Sequence, residues 1–223
     1  ITEILLAADA DPTISVGGIL NSIGGNIRVG GSDLFVTEAC EYTNSFLSFF
    51  PTMEIILNIE EDHLDFFKDL EDIRHSFRQF AMKLPEDGLL IINSGIERLE
   101  ELTEGLACRV TTFGNGPESD FRAENVHHDQ YARAEFDVIR RGSRLGHIVL
   151  GVAGDHNVSN ALAAIAACLE LEVPFEKIAE GLKHFTGTNR RFEKKGEIGG
   201  VTIIDDYAHH PSEVRATLTA ARN

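Results

Sequence analysis

Short apolar segments alternate with segments of helical periodicity along the first half of the chain, and this alternation constrains the fold more than any other sequence feature. The pattern predicts strands and helices in the following order: strand Asp33–Glu38, strand Glu54–Asn58, helix Asp69–Leu84, strand Leu89–Asn93, helix Ile96–Thr103 and strand Arg109–Phe113. Strand–helix–strand units at this spacing form a parallel sheet flanked by helices. The sequence therefore predicts an α/β fold with a mostly parallel sheet.

The pattern changes after residue 120. Three strands with short connections predict a small antiparallel sheet, namely Phe121–His127, Ala132–Arg140 and Arg144–Leu150. Further elements are predicted at Asn157–Leu169 (helix), Pro174–Phe185 (helix), 192–198 and 200–205 (strand pair), and Pro211–Arg222 (helix). We place a domain boundary near Gly187–Arg191, which divides the chain into residues 1–188 and 189–223. The helical segment Ile1–Ala10 has no preceding cap, so we expect a chain cut within a longer protein.

Composition excludes several classes of protein. The 36 acidic and 20 basic residues give a net charge of −16, which leaves no basic face for a nucleic acid. No apolar run approaches the ~20 residues that span a bilayer, and no leader opens the chain. Three widely spaced cysteines indicate reduced thiols. We therefore expect a cytoplasmic protein that neither inserts into membranes nor binds nucleic acid.

Two polar side chains follow neighbouring predicted strands. Glu38 ends one strand, and His63 follows the next one within an acidic loop. Ligands of α/β proteins bind beyond the carboxyl ends of the strands, where a carboxylate and an imidazole can share a divalent metal. The alternative is a capped loop with a solvated acidic cluster, and the spacing alone favours that alternative.

Two asparagines are predicted at the start of a helix. Asn157 and Asn160 lie three residues apart and therefore point the same way. Two side-chain amides offer the donor and acceptor that a purine edge requires. The alternative is an asparagine cap with a structural amide.

Two further polar segments lie at and beyond the domain boundary. Arg190 and Arg191 present guanidinium groups that suit phosphate, or else are exposed linker charges. The segment 205–211, D-D-Y-A-H-H-P, places two acids, a phenol and two imidazoles between a strand and a helix. The alternative is a helix N-cap region with surface histidines, but capping alone explains that density of polar groups poorly, so we favour a ligand there.

Five segments together resemble the Mur ligases, and they occur in order and at suitable spacing over nearly the whole chain. They are E-A-C-E-Y at 38–42, N-I-E-E-D-H-L-D at 58–65, G-D-H-N-V-S-N at 154–160, N-R-R-F-E at 189–193 and D-D-Y-A-H-H-P at 205–211. The resemblance is strongest to the alanine-adding branch. It implies a P-loop-type central ATP-binding domain in residues 1–188 and the start of a Rossmann-like C-terminal ligase domain in residues 189–223.

The resemblance also implies the reaction and its participants. An ATP-dependent enzyme joins L-alanine to UDP-N-acetylmuramate through an acyl phosphate in peptidoglycan synthesis, with ATP and Mg²⁺ bound. No G-x-x-x-x-G-K-[ST] loop occurs in the sequence, although the resemblance places that loop just before the helix at Ile1–Ala10. We therefore expect these 223 residues alone to lack ATPase and ligase activity.

Site residues follow from the matching motif positions. The resemblance implies catalytic roles for Glu38, His63 and Arg191, and Mg²⁺ ligation by Glu38 and His63. It assigns adenine to His156, Asn157 and Asn160, the ATP phosphates to Arg191 and the ribose to Asp206. It also places Tyr207 and His209 near the incoming alanine.

Two points qualify the resemblance. Many relatives carry Asp where this chain has Cys40, and a thiol accepts hydrogen bonds weakly. Alternatives are the muropeptide-recycling ligase, which joins a tripeptide to the same nucleotide sugar, and a non-catalytic nucleotide-binding module. Folylpolyglutamate synthase is a more distant alternative, against which the segment 205–211 argues.

Overall fold

The fold is described from a computed structural model that covers residues 1–222. The helices are α1 (Thr2–Ala7), α2 (Leu70–Ala81), α3 (Leu99–Thr103), α4 (Asp155–Glu170), α5 (Phe175–His184) and α6 (Pro211–Arg222). The strands are β1 (Thr13–Leu20), β2 (Gly25–Arg28), β3 (Phe35–Thr37), β4 (Met53–Ile56), β5 (Leu89–Asn93), β6 (Arg109–Phe113), β7 (Phe121–His128), β8 (Arg133–Arg140), β9 (Ser143–Ala153), β10 (Glu193–Ile198) and β11 (Val201–Asp205). Short 3₁₀ segments lie at Asn21–Ile23 and Tyr42–Ser48.

The largest sheet has six strands in the order β4-β5-β6-β7-β8-β9. Strands β4 to β7 pair in parallel, and β7, β8 and β9 pair antiparallel. The expected antiparallel strands therefore continue the parallel sheet, through the pairing of Phe113 with Phe121, and do not form a sheet of their own. Helix α4 packs on one face of this sheet in the main core, and a smaller core lies under α3. The predicted α/β class is confirmed.

Local chemistry explains why the predicted elements form. The Asp69 side chain accepts a hydrogen bond from the Asp72 N–H (3.0 Å) and caps α2, whose buried side chains include Ile73 and Phe80. Strand β5 is buried at four of its five positions, as expected for a strand covered on both faces. Helix α4 begins at Asp155, two residues earlier than predicted, so Asn157 lies inside its first turn.

A three-stranded sheet, ordered β2-β1-β3, contains two strands that the sequence pattern did not predict. β1 pairs antiparallel with β2 and parallel with β3. Gly17 and Gly18 interrupt β1, and the register with β2 shifts between Ser15 and Leu20. Glycines within a strand weaken its sequence signal and often mark such an irregularity.

Residues beyond α5 form a small second unit. Strands β10 and β11 form an antiparallel hairpin, and α6 follows it. Residues 185–192 connect this hairpin to α5, and within them Arg190 (φ 62°) and Phe192 (φ 48°) have left-handed backbone conformations. The domain division at residues 188 and 189 stays a prediction. Across residues 1–222, every helix is too short or too polar to cross a bilayer.

Candidate functional site

A cavity of about 690 Å³ lies between the three-stranded sheet, α1, α5 and the connection to the second unit. Its lining includes Glu38 after β3, the glycines of β1, and Arg191 and Tyr207 from the second unit. The structure thus brings together three of the predicted site residues from both parts of the chain. A carboxylate and a guanidinium facing one cavity can receive a metal-bound, phosphorylated ligand.

Glu38 is held in this cavity by a strand that sequence reasoning missed. The Gly17 N–H of β1 donates a hydrogen bond to Oε2 of Glu38 (2.7 Å). A Cβ on Gly17 would lie 3.0 Å from that oxygen, so glycine allows the carboxylate to approach β1 closely. The Gly17-Gly18 pair, which follows three β-branched residues within positions 13–16, was the available signal.

His63 lies in a separate cluster with two carboxylates. Its Nε2 is 3.4 Å from Oε1 of Glu41, and its Nδ1 is 3.8 Å from Oδ1 of Asp62. Ligand atoms of these three residues all lie within 4.8 Å of one another, and oxygen and imidazole donors together suit a divalent cation. The residues present therefore fit a metal site.

Glu38 does not belong to that cluster. β3, which precedes Glu38, is in the three-stranded sheet, whereas β4, which precedes His63, is at the edge of the six-stranded sheet. The expectation that two adjacent strands present these residues on one rim thus differs from the structure. Asp62, which the alternative interpretation placed in a solvated acidic cluster, and Glu41, which received no role, supply the carboxylates beside His63.

The start of α4 places the predicted purine-binding residues together. Nδ2 of Asn160 donates to Oδ1 of Asn157 (3.3 Å), and Nδ2 of Asn157 donates to the Ala153 carbonyl (2.7 Å). The adjacent His156 lines a second cavity of about 500 Å³ with residues of α6. Burial lowers the pKa of His156, and the nearby Asp206 carboxylate opposes part of that effect. Nε2 of His156 lies 3.1 Å from Nδ2 of Asn157, whereas the Asn160 amide oxygen accepts no bond within residues 1–222 and remains available to a ligand.

The second unit organises its polar groups through Asp206. Its Oδ2 accepts from the Phe192 N–H (2.9 Å) and the Thr217 hydroxyl (3.1 Å), and its Oδ1 accepts from the Ala208 N–H (2.7 Å). Asp206 thus ties together the connection, the turn after β11 and α6. If Asp206 binds a ribose, its carboxylate must accept hydrogen bonds from the ribose hydroxyls in addition to these three.

The remaining predicted residues lie close to that turn. Arg191 is exposed and forms a 3.5 Å ion pair with Glu213. The Tyr207 ring lies under the guanidinium of Arg190 (4.8 Å) and edge-on to His209 (5.4 Å). Arg191 and Tyr207 face the cavity of Glu38, whereas His209 is not among the residues that line it.

His210 connects the second unit to the loop that carries His63. Its Nε2 is 2.9 Å from the Glu61 carbonyl, and its Nδ1 lies 2.7 Å from the Ser212 hydroxyl and 3.4 Å from Oε2 of Glu60. Sequence reasoning assigned this residue no role of its own, although the density of polar groups in 205–211 singled out its segment. The contact joins two segments 149 residues apart in sequence.

Two protein-family models together match most of the chain. The family model of the Mur ligase middle domain matches residues 20–168, and that of the Mur ligase, glutamate ligase domain matches residues 190–223. The chain is 60% identical over 222 residues to the UDP-N-acetylmuramate–L-alanine ligase of Lachnospira eligens, and 58% identical to that of Agathobacter rectalis. The match covers 99% of this chain in the first case and 100% in the second.

A solved structure is similar over the same extent. The crystal structure of the UDP-N-acetylmuramate-alanine ligase MurC from Thermotoga maritima superposes with a TM-score of 0.84 at 30% identity, over 99% of this chain and 50% of that one. The chain also spans 48% of the length of each of the two relatives above, about half of either protein. The middle-domain model covers more than half of the chain, and the chain belongs to the Mur ligase family.

Proposed function

We propose that this chain is the nucleotide-binding part of an ATP-dependent ligase that joins L-alanine to UDP-N-acetylmuramate in the cytoplasm, as a step of peptidoglycan synthesis. The observation that carries the reaction class is the cavity lined by Glu38 from the first unit and by Arg191 and Tyr207 from the second. The two substrates are inferred from the names of relatives at 58–60% identity.

The proposed reaction has two chemical steps. The γ-phosphoryl group of ATP passes to the muramate carboxylate, which converts a poor electrophile into an acyl phosphate. The amine of L-alanine then attacks the acyl carbon, and inorganic phosphate leaves from the tetrahedral intermediate. Protein groups assist chiefly by positioning and by stabilising charge on the transferring phosphoryl group.

Arg191 suits the phosphate in this scheme. Its guanidinium is exposed, and within residues 1–222 its one ion pair is the 3.5 Å contact with Glu213, so a phosphate can replace that partner. Tyr207 faces the same cavity. We propose that Tyr207 and its neighbour His209 lie near the incoming amino acid, Tyr207 within this cavity and His209 outside its lining.

Mg²⁺ is the metal we propose, and it would neutralise the negative charge of the phosphate oxygens when bound. His63, with Glu41 and Asp62 beside it, is one candidate set of ligands, because their donor atoms lie within 4.8 Å of one another. Glu38 is the candidate ligand for a second metal, in the cavity that it lines with Arg191 and Tyr207.

Adenine recognition is proposed for the start of α4. Partial burial lowers the pKa of His156, which favours the neutral imidazole, and Asn160 is exposed with its amide oxygen free among the described contacts. Asn157 holds Asn160 in place through the 3.3 Å bond between their side chains. This pair can present a donor and an acceptor to a purine edge.

Phosphate release by the intact protein tests the proposed function. The assay contains Mg·ATP and UDP-N-acetylmuramate with either a panel of single amino acids or the tripeptide L-alanyl-γ-D-glutamyl-meso-diaminopimelate. We expect turnover with L-alanine and little with the tripeptide. The opposite preference identifies the recycling ligase, and absence of turnover with every acceptor supports a non-catalytic nucleotide-binding module.

Variants of the same protein test the residue assignment. His63→Ala should lower kcat by a hundredfold or more, which corresponds to about 3 kcal/mol of transition-state stabilisation. His75→Ala is the matched control, since His75 is exposed on α2 and contacts only Gln79 among the described hydrogen bonds. Equal kcat for both variants at saturating Mg²⁺ would remove His63 from the site.

A further inference from the structure

The aromatic ring of Tyr42 covers one face of the His63 imidazole. The ring centroids are 4.5 Å apart with an angle of 30° between the planes, which is a stacked arrangement. The Tyr42 hydroxyl donates a 2.8 Å hydrogen bond to Oδ2 of Asp65. The Phe66 ring packs edge-on against the tyrosine ring, with the ring centroids 6.2 Å apart. The Tyr42 side chain is therefore held at its ring and at its hydroxyl, although the residue is 37% exposed.

The backbone that carries Tyr42 is strained. Thr43 (φ 54°) and Asn44 (φ 60°) are consecutive residues in the left-handed conformation, which a β-branched threonine rarely adopts. The Asn44 N–H donates to the Glu41 carbonyl (2.9 Å), and the Ser45 hydroxyl donates to the Tyr42 carbonyl (2.9 Å). Oδ1 of Asn44 is buried without a hydrogen-bond partner among residues 1–222. The left-handed dihedral angles and the unpaired buried oxygen both cost free energy. The turn therefore persists only if contacts with the surrounding residues stabilise it.

The stacked pair lies beside both carboxylates of the cluster. Glu41, next to Tyr42 in sequence, approaches Nε2 of His63 at 3.4 Å, and Asp62 approaches Nδ1 at 3.8 Å. His63 itself has a left-handed backbone (φ 52°), and its N–H donates to Oδ1 of Asp62 (2.7 Å). The stack therefore restricts rotation of an imidazole whose backbone is already constrained.

We propose that Tyr42 is a positioning residue that holds the His63 imidazole, by stacking, in the orientation in which it binds a divalent cation. This inference rests on the proposed function, because that function makes His63 a metal ligand. The hydrogen bond from the hydroxyl to Asp65 anchors the tyrosine ring, and the ring in turn limits rotation of the His63 imidazole. Residues that orient a metal-ligating histidine typically change metal affinity 10–100-fold when they are removed.

Two substitutions separate the ring from its hydroxyl. Tyr42→Phe keeps the stack and removes the bond to Asp65, whereas Tyr42→Leu removes both. Tyr131→Leu is the control, since Tyr131 is also exposed but its ring contacts Arg133 in another part of the fold. All variants are made in the intact protein, and circular dichroism establishes that each one is folded.

The first measurement needs no metal. In the metal-free protein, the ring current of Tyr42 should shift the His63 Cε1 proton upfield in the NMR spectrum. Wild type and Tyr42→Phe should show the shift, and Tyr42→Leu should lose it.

The second measurement is Mn²⁺ affinity from water-proton relaxation, in the presence of a non-hydrolysable ATP analogue. We expect Tyr42→Leu to weaken Mn²⁺ binding about tenfold or more and Tyr42→Phe to stay within threefold of wild type.

The kinetic effect should follow the affinity. Tyr42→Leu should need more Mg²⁺ for half-maximal rate while retaining most of kcat at saturating Mg²⁺, and Tyr42→Phe should restore the wild-type Mg²⁺ requirement. Unchanged Mn²⁺ affinity in Tyr42→Leu, with weakened affinity in His63→Ala, overturns this inference alone. Unchanged affinity in His63→Ala overturns the metal assignment in the proposed function, and this inference with it.

Discussion

Glu54 is a carboxylic acid enclosed in the smaller core beneath the six-stranded sheet. It is 3% exposed, and neither carboxylate oxygen has a hydrogen-bond partner among residues 1–222. Burial raises the pKa of Glu54 from its ordinary value of 4.5 to about 8, and the positive charge of Lys83 opposes part of that rise. Glu54 is therefore mostly protonated in the folded protein at neutral pH but ionised in the unfolded chain.

This difference makes stability depend on pH in a defined direction. Because the folded-state pKa lies above the unfolded one, folding takes up a proton between those two values, and stability falls as pH rises through that range. Each pH unit in the range costs about 1.4 kcal/mol. The destabilisation is then roughly 3 kcal/mol at pH 7 and on the order of 5 kcal/mol above pH 9, but below about 1 kcal/mol at pH 5.

Glu54→Gln removes the titration and keeps the shape of the side chain. We expect the variant to be more stable than wild type by roughly 3 kcal/mol at pH 7, with a larger gain at pH 9 and a gain below about 1 kcal/mol at pH 5. Urea denaturation followed by circular dichroism at these three pH values measures the gain. Glu86→Gln is the control, since Glu86 is exposed. A gain for Glu54→Gln that is the same at pH 5 and pH 9 would refute the reasoning.

Two further substitutions address the proposed site. Gly17→Ala should displace the Glu38 carboxylate, because the new Cβ would lie 3.0 Å from Oε2. We expect kcat/KM for the ligase reaction to fall about tenfold. Gly25→Ala is the control and should leave kcat/KM unchanged, since its new Cβ would meet open space in the same sheet. Asn160→Ala should raise the KM for ATP at near-constant kcat, by an amount equivalent to about 1–3 kcal/mol, and reduce the preference for ATP over GTP, as steady-state kinetics with both nucleotides would show. A lower melting temperature with unchanged nucleotide preference would instead make Asn160 a structural residue.

Elements with strong local signals were predicted closely. Leu89–Asn93 and Arg109–Phe113 are strands with the predicted bounds, and the helix predicted at Asp69–Leu84 spans Leu70–Ala81. Burial on both faces and a capping aspartate make such signals local properties of the sequence. Strands β1 and β2 were missed because two glycines interrupt β1 and because Ile19 and Ile27 are exposed, so no clean alternation of apolar and polar residues marks this sheet.

The sequence indicated several residues of the candidate site, but it did not indicate how they are arranged in space. Glu38, Arg191 and Tyr207 line one cavity, but His63 pairs with Glu41 and Asp62 in a different place. Which strands neighbour each other in space depends on long-range pairing, and β3 pairs with β1, a strand that was not predicted. Carboxylates in acidic loops look alike in sequence whether or not a histidine faces them, so Glu41 and Asp62 could not be singled out.

The contact between His210 and the loop of His63 would limit any rotation of the hairpin and α6 relative to the rest of the chain. Any rotation about residues 185–192 that displaces His210 must either break its 2.9 Å contact with the Glu61 carbonyl or carry the loop with it. The angle between the units and the position of that loop are therefore energetically linked. Linkage of this kind is reciprocal. A cation bound by the loop of His63 would bias the angle, and a second ligand that fixes the angle would change the affinity of the loop for the cation by the same factor.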